Sequence, residues 1–207
     1  MTAQCAGYPA GRQEQAGAGL RARTGPRRLA RMSQPRRHKQ VVNVEDVEVR
    51  EQKQGGFALS SRRLGASAGA RALGCSHFEL APGKTAFPYH FHSALEEAIY
   101  VLDGRGTLRI GPDSVELRAG DYVALPPGPD FAHALTNTGE APLRYLCMSS
   151  PAAPATMDIV LYPDSKKISF AAGIEPGKTP RDGWVFKIIK EDQPPVGYYD
   201  GEPLAEK

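Results

Sequence analysis

Residues 83–104 read Gly83-Lys-Thr-Ala-Phe-Pro-Tyr-His90-Phe-His92-Ser-Ala-Leu-Glu96-Glu97-Ala-Ile-Tyr-Val-Leu-Asp103-Gly104, and they hold two of the five histidines in a chain of 207 residues. Side chains on an extended strand alternate between faces, so His90 and His92 project to one side and Phe91 to the other. Glu97 opens the next apolar run, with Ile99 and Val101 on one face and Tyr100 and Leu102 on the other. A neighbouring strand can therefore carry the Glu97 carboxylate to the point where the two imidazoles converge. Glu96 falls one residue out of that register and is expected to face solvent. Asp103-Gly104 reads as the two-residue turn of a hairpin, the glycine supplying the positive φ such turns need.

A third imidazole follows in Gly120-Asp-Tyr-Val-Ala-Leu-Pro126-Pro127-Gly128-Pro-Asp-Phe-Ala-His133-Ala-Leu-Thr-Asn137. His133 begins another strand-like segment whose same-face partners are Leu135 and Asn137. A single histidine on an apolar strand is more often a hydrogen-bonded core residue than a ligand. His90, His92, Glu97 and His133 taken together make a transition-metal shell, which the donor set alone fits to Mn, Fe, Ni, Co or Zn alike. His77, in Cys75-Ser-His77-Phe-Glu79-Leu80, reads as exposed, because Phe78 and Leu80 claim the core side of the strand.

Composition bounds the class. With 41% hydrophobic residues, 22 glycines and 18 prolines, the chain suits a turn-rich β protein. No apolar run is long enough for a membrane span, residues 1–30 lack the apolar centre of a secretory signal, and the three cysteines, Cys5, Cys75 and Cys147, are odd in number and widely spaced. A protein with reduced thiols in the cytoplasm is the expectation. Residues 1–40 carry nine Lys or Arg against the single acid Glu14, while the remaining residues carry 17 bases and 22 acids. This arm is rich in Gly, Ala and Gln, without apolar periodicity, and is expected to be disordered. Three readings compete for it: an anion-binding arm, a transit peptide, or translated upstream sequence with Met32 as the true start, which is the reading favoured. Neither aromatic interleaving nor a helix-turn-helix pattern supports a nucleic-acid partner.

From Val41 the chain breaks into short β-like segments: 41–49, 57–64, 73–80, 86–92, 97–102, 106–110, 114–118, 122–125, 133–136 and 144–148. Turn signals such as Pro82-Gly83, Gly111-Pro112-Asp113 and Gly120-Asp121 separate them at the cadence of a sandwich or barrel. Pro151-Ala-Ala-Pro154 closes this region. Beyond it lie the apolar pieces Met157-Ile159-Leu161 and Trp184-Val185-Phe186-Lys187-Ile188-Ile189, divided by the turn Pro163-Asp164-Ser165-Lys166.

These motifs resemble the cupin superfamily. His90-x-His92, four residues, Glu97, six residues and Gly104 match its first motif; Gly120, five residues, Pro126-x-Gly128 and Asn137 match its second. Two loops depart from the pattern: six residues separate Gly83 from His90, where the family has five, and four separate Gly128 from His133, where it has two. The resemblance implies an all-β cupin double-stranded β-helix, or jelly-roll barrel, over residues 41–155, with the disordered arm 1–40 before it and a C-terminal extension 156–207 after it. It implies one divalent transition metal, held by His90, His92, Glu97 and His133, and two open coordination positions.

The expected function is that of a metal-dependent enzyme acting on a small carbonyl or sugar-like molecule, of isomerase or epimerase type. The alternatives are a metal-dependent dioxygenase of a small organic substrate and a non-catalytic small-molecule sensor. An isomerase needs a proton-shuttling group, for which Glu79, Tyr89 and Lys84 are candidates. A dioxygenase needs an apolar wall, which Ile99, Val101 and Leu135 could supply. The apolar strand around Trp184 is expected to pack on the barrel or across a homodimer interface.

Overall fold

The computed structural model describes residues 37–150, 157–173, 181, 183, 185–197 and 200. Residues 1–36 of the arm assigned to residues 1–40, the Pro151–Pro154 closure, and Trp184 lie outside the described residues. Among the described residues, thirteen strands carry the fold. They are β1 (Arg50–Gln54), β2 (Phe57–Arg62), β3 (Gly74–Leu80), β4 (Phe91–His92), β5 (Glu97–Asp103), β6 (Arg105–Ile110), β7 (Asp113–Arg118), β8 (Tyr122–Leu125), β9 (His133–Thr136), β10 (Leu143–Ser149), β11 (Asp158–Tyr162), β12 (Lys167–Ala172) and β13 (Val185–Lys190). The one α-helix among the described residues is the four-residue turn Leu64–Ser67. No helix among the described residues is long and apolar enough to cross a membrane.

One sheet has the strand order β1-β2-β3-β10-β5-β8. Opposite it lie β13-β12-β11-β4 and β7-β6-β9. An antiparallel bridge between His90 and His133 stitches these two groups together, each residue donating its N–H to the other's carbonyl at 3.1 and 2.8 Å. Between the sheets sits the apolar core. Leu59, Leu80, Ile99, Val101 and Leu143 come from one side, Leu108, Leu117 and Leu135 from the other. Strand β5 follows the sequence pattern: Ile99 and Val101 are buried while Tyr100 and Leu102 are exposed.

Asp103-Gly104 is not a hairpin turn. Strand β5 pairs with β10 and β8, whereas β6 pairs with β7 and β9, so the chain changes sheets at Gly104. Gly104 has φ of +86°, and a Cβ there would stand 2.7 Å from the Pro142 carbonyl oxygen, so both conformation and space demand glycine. The two readings look alike in sequence because both require a residue with φ > 0.

Two further expectations change. Residues 41–49 hold no strand but a 3-10 turn at Val44–Asp46, whose start is capped by the Asn43 side chain accepting from the Glu45 N–H. Residues 86–92 form a strand only at Phe91–His92, because Pro88 has no N–H to donate and the segment before it is held by single bridges. Asn137 is fully buried and satisfied: its amide nitrogen donates to the Leu80 and Ala141 carbonyls at 2.7 and 2.9 Å, and its oxygen accepts from the Gly139 N–H. It thus clamps the end of β9 to the end of β3, which is why the second motif ends on this residue.

Candidate metal centre

The His90–His133 bridge places both residues directly opposite each other in the ladder, so their side chains leave the same face, with ring centroids 4.6 Å apart. His92 lies two residues along from His90 on that face, its ring 5.3 Å away. Glu97 arrives from the opposite sheet, at the start of β5. One oxygen of its carboxylate stands 3.4 Å from His92 Nε2 and 3.5 Å from His133 Nε2. Donor atoms of His90, His92 and Glu97 all lie within 4.8 Å of one another, and His133 joins them through Glu97 and His90. Donors about 2.0–2.2 Å from one ion stand roughly 3–4.4 Å apart, so the spacing suits a single cation after small adjustments.

The tautomers fit as well. His90 Nδ1 faces the Pro88 carbonyl oxygen at 2.8 Å and His133 Nδ1 faces the Phe131 carbonyl oxygen at 3.0 Å. A carbonyl only accepts, so both Nδ1 atoms carry protons and both Nε2 lone pairs point inward. His92 Nδ1 donates to Asp158 Oδ2, and the other Asp158 oxygen accepts from the Ala94 N–H at 3.2 Å. Each imidazole is thereby oriented from behind, the arrangement that supports metal-ligating histidines.

Burial and charge act on these groups in opposite directions. Burial and the neighbouring His133 and His92 push His90 down to about 4. Burial would also lower His92, but its hydrogen bonds to Asp158 and Glu97 prevail and raise it to about 9. Glu97 is held well below the usual carboxylate range against the effect of burial, because the His133 and His92 imidazoles stand beside its carboxylate. A proton and a divalent cation would compete for the same position between His92 Nε2 and Glu97. The Cys147 thiol, pushed up by burial and by Glu97, lies within weak donating distance of the second Glu97 oxygen at 3.8 Å.

Above the cluster opens a chamber of about 330 Å³ walled by Phe78, Phe87, Ile99, Leu135, Val160 and Tyr162. Ile99 and Leu135 stand where the apolar wall was expected, while Val101 lies in the core. Glu96 is exposed, in keeping with its register. The suggested proton shuttles are elsewhere. Glu79 pairs with Arg144 at 2.7 Å, Tyr89 donates to the Gly111 carbonyl beneath the Arg109 guanidinium, and none of Glu79, Tyr89 or Lys84 lines the chamber.

His77 is buried rather than exposed, at 8% of its surface. It does lie on the outer face of β3, across from Arg62 and Leu146, but that face is covered. Glu45 of the N-terminal turn is among the charges that act on it, while burial and Arg62 lower its pKa.

Asp158, Val160 and Tyr162 went unnoticed in the sequence. Strand β11 pairs with β4 so that Val160 opposes His92, which turns Asp158, Val160 and Tyr162 toward the site. The apolar stripe Met157-Ile159-Leu161 alternates with them and drew the reading to the wrong face; in a strand with two partly apolar faces, period-two alternation does not choose between them.

Comparison with known proteins agrees with this geometry. Residues 76–149 match the cupin domain family. That segment is a cupin domain. It is 37% identical over 62 residues to an uncharacterized protein of Methanocaldococcus jannaschii, covering 30% of this chain and 48% of that protein. It is 31% identical over 88 residues to the tetracenomycin polyketide synthase protein TcmJ of Streptomyces glaucescens, covering 42% and 57% of the two chains. The chain therefore spans about half the length of these curated relatives. Its fold is similar to a crystal structure from Acidithiobacillus ferrooxidans named as a candidate sugar phosphate isomerase, with a TM-score of 0.62 and 25% identity over 76% of this chain and 96% of the other. The double-stranded β-helix is thus common to all three lines of comparison: motif, topology and structural neighbours.

Proposed function

We propose that this cupin is a metal-dependent enzyme that moves a proton on a small carbonyl compound, an isomerase or epimerase, with one divalent transition metal held by His90, His92, Glu97 and His133. The observation that carries the reading is the set of three histidines whose Nδ1 atoms are each bonded outward, leaving Nε2 aimed with Glu97 at one point below a small chamber. A bound divalent ion there supplies Lewis acidity toward a carbonyl or enediol oxygen. The chain's own residues do the remainder. The apolar walls exclude water, and the volume of about 330 Å³ limits the substrate to a small molecule. Tyr162 lines the chamber with its ring 6.0 Å from that of His90, and burial raises its pKa while its hydrogen bond with Ser169 acts the other way. The kinship in fold with the candidate sugar phosphate isomerase supports this class.

The mainly aromatic and aliphatic wall favours one second reading, oxygenation of a small organic substrate. The two separate by experiment. The purified protein is assayed for bound metal, then for solvent deuterium entering the carbon next to a ketone, and for oxygen consumption. His92→Ala should lower metal content about tenfold or more. Unchanged stoichiometry in that variant would sink the metal assignment; oxygen uptake without deuterium exchange would replace the isomerase by the dioxygenase.

A further inference from the structure

Beside the metal chamber lies a second, larger cavity of about 830 Å³, and the two abut at Phe78, Ala86 and Phe87. The characters of the cavities are opposite. No Lys, Arg, or Asp lines the chamber, whereas the cleft is lined by Arg50 and Lys53 of β1, Arg63 just after β2, and Arg181, with no carboxylate among its lining residues. This concentration of positive charge stands on a body that is acidic, since residues 41–207 hold 17 bases against 22 acids. A cavity lined by one sign of charge beside low-dielectric walls focuses the field and gathers ions of the other sign.

The carboxylates that do reach these cations come from outside the cleft. Glu48 approaches Arg50 at 4.0 Å with 83% of its side chain exposed, and Glu51 approaches Lys53 at 3.0 Å with 62% exposed. Such solvated pairs are weak and leave the cations free to turn toward an incoming anion. Arg63 already has an interaction within the protein and contributes as a positive charge held in place. A smaller recess on the other side of Phe78, about 270 Å³, adds Arg71 and shares Arg63 and Ser76 with the cleft while reaching Glu97 and Cys147. Phe78 thus borders all three spaces, held edge-on to Phe87 at 5.8 Å and stacked on Tyr145 at 5.2 Å.

We infer that the substrate is a phosphate monoester of the carbonyl compound, its phosphate seated against Arg50, Lys53 and Arg63 in the cleft and its carbonyl end across the Phe78–Phe87 wall in the metal chamber. This rests on the reading of the chamber as the reacting site. Several cations around one cavity suit a dianion better than a single carboxylate, and guanidinium groups match phosphate oxygens in pairs. An uncharged substrate would leave this cluster without use.

Calorimetry on the full, metal-loaded chain tests the assignment with phosphoglycolate, glycolate, malonate and inorganic phosphate as probes. Phosphoglycolate should bind about tenfold or more tighter than glycolate, and Arg50→Gln with Lys53→Gln should erase that margin while leaving metal content and glycolate affinity as in the wild type. Both residues are on an exposed edge strand, so the variant keeps the fold, and Arg50→Lys alone should retain most of the margin. Equal affinities for phosphoglycolate and glycolate in the wild type, a margin that survives in the double variant, or malonate bound more tightly than phosphoglycolate would each overturn it. Inorganic phosphate followed by phosphorus NMR separates this idea from the metal reading. If His92→Ala loses metal binding yet phosphate still binds and still depends on Arg50 and Lys53, the cleft stands on its own; if metal binds normally and phosphate does not, the cleft assignment alone falls.

Discussion

Asp158 is the residue on which the site's electrostatics turn, because its carboxylate both orients His92 and holds a proton on its ring. Asp158→Asn keeps the shape and removes the charge. Metal affinity should fall by about ten- to a hundredfold, the usual consequence of removing the partner behind a ligating histidine, as measured by competition with a chelator. The same variant changes the pH response of chelator-treated protein. His92 is raised from its ordinary value to about 9, so its contribution to stability is complete below about pH 6.5 and is lost as pH rises through about 9. Glu97 and His90 are both lowered, so their contributions are present above their ordinary values and are lost as pH falls. The chelated wild type should therefore melt at a lower temperature at pH 9.5 than at pH 6.5, and Asp158→Asn should flatten that alkaline limb. An equal alkaline fall in both proteins would show that the Asp158–His92 bond is not its source.

At the scale of elements, the site depends on three crossings of the chain between or along sheets. The His90–His133 bridge joins β4 to β9, β11 seats Asp158 behind His92, and Asn137 fixes the end of β9 by hydrogen bonds to the Leu80 and Ala141 carbonyls. Asn137→Ala removes those hydrogen bonds and opens a gap at a fully buried position. It should cost about 1–3 kcal/mol, read from denaturant unfolding, with metal content reduced as His133 loosens. A change within error in unfolding would mean that water satisfies the carbonyls. The extension from residue 156 contributes three of the four strands of the sheet that includes β4, so part of the site is made by chain far from the motif histidines.

For the whole molecule, β13 poses the remaining question of assembly. All but one of its residues are exposed, Val185, Ile188 and Ile189 among them at 42%, 51% and 42%, and among the described residues its only paired neighbour is β12. An apolar edge strand of this kind invites a second strand. We propose that it joins a second copy in a homodimer, and light scattering at micromolar concentration should return twice the chain mass; a monomer would make the tail an intramolecular clasp. The sequence by itself determined the fold class and singled out His90, His92, Glu97 and His133, because period-two alternation and motif spacing are local: Ile99 and Val101 are buried on one face of β5, and Leu135 shares a buried face of β9 with His133. Tertiary structure alone decided what faces these strands. Glycine at position 104 serves a hairpin or a sheet crossing equally well, and His77 is buried although the alternation of its strand turns it away from the core. Asp158 reaches His92 only through the register in which Val160 opposes that histidine. Such pairings bring together residues dozens of positions apart, and no local pattern encodes which edge a strand will find.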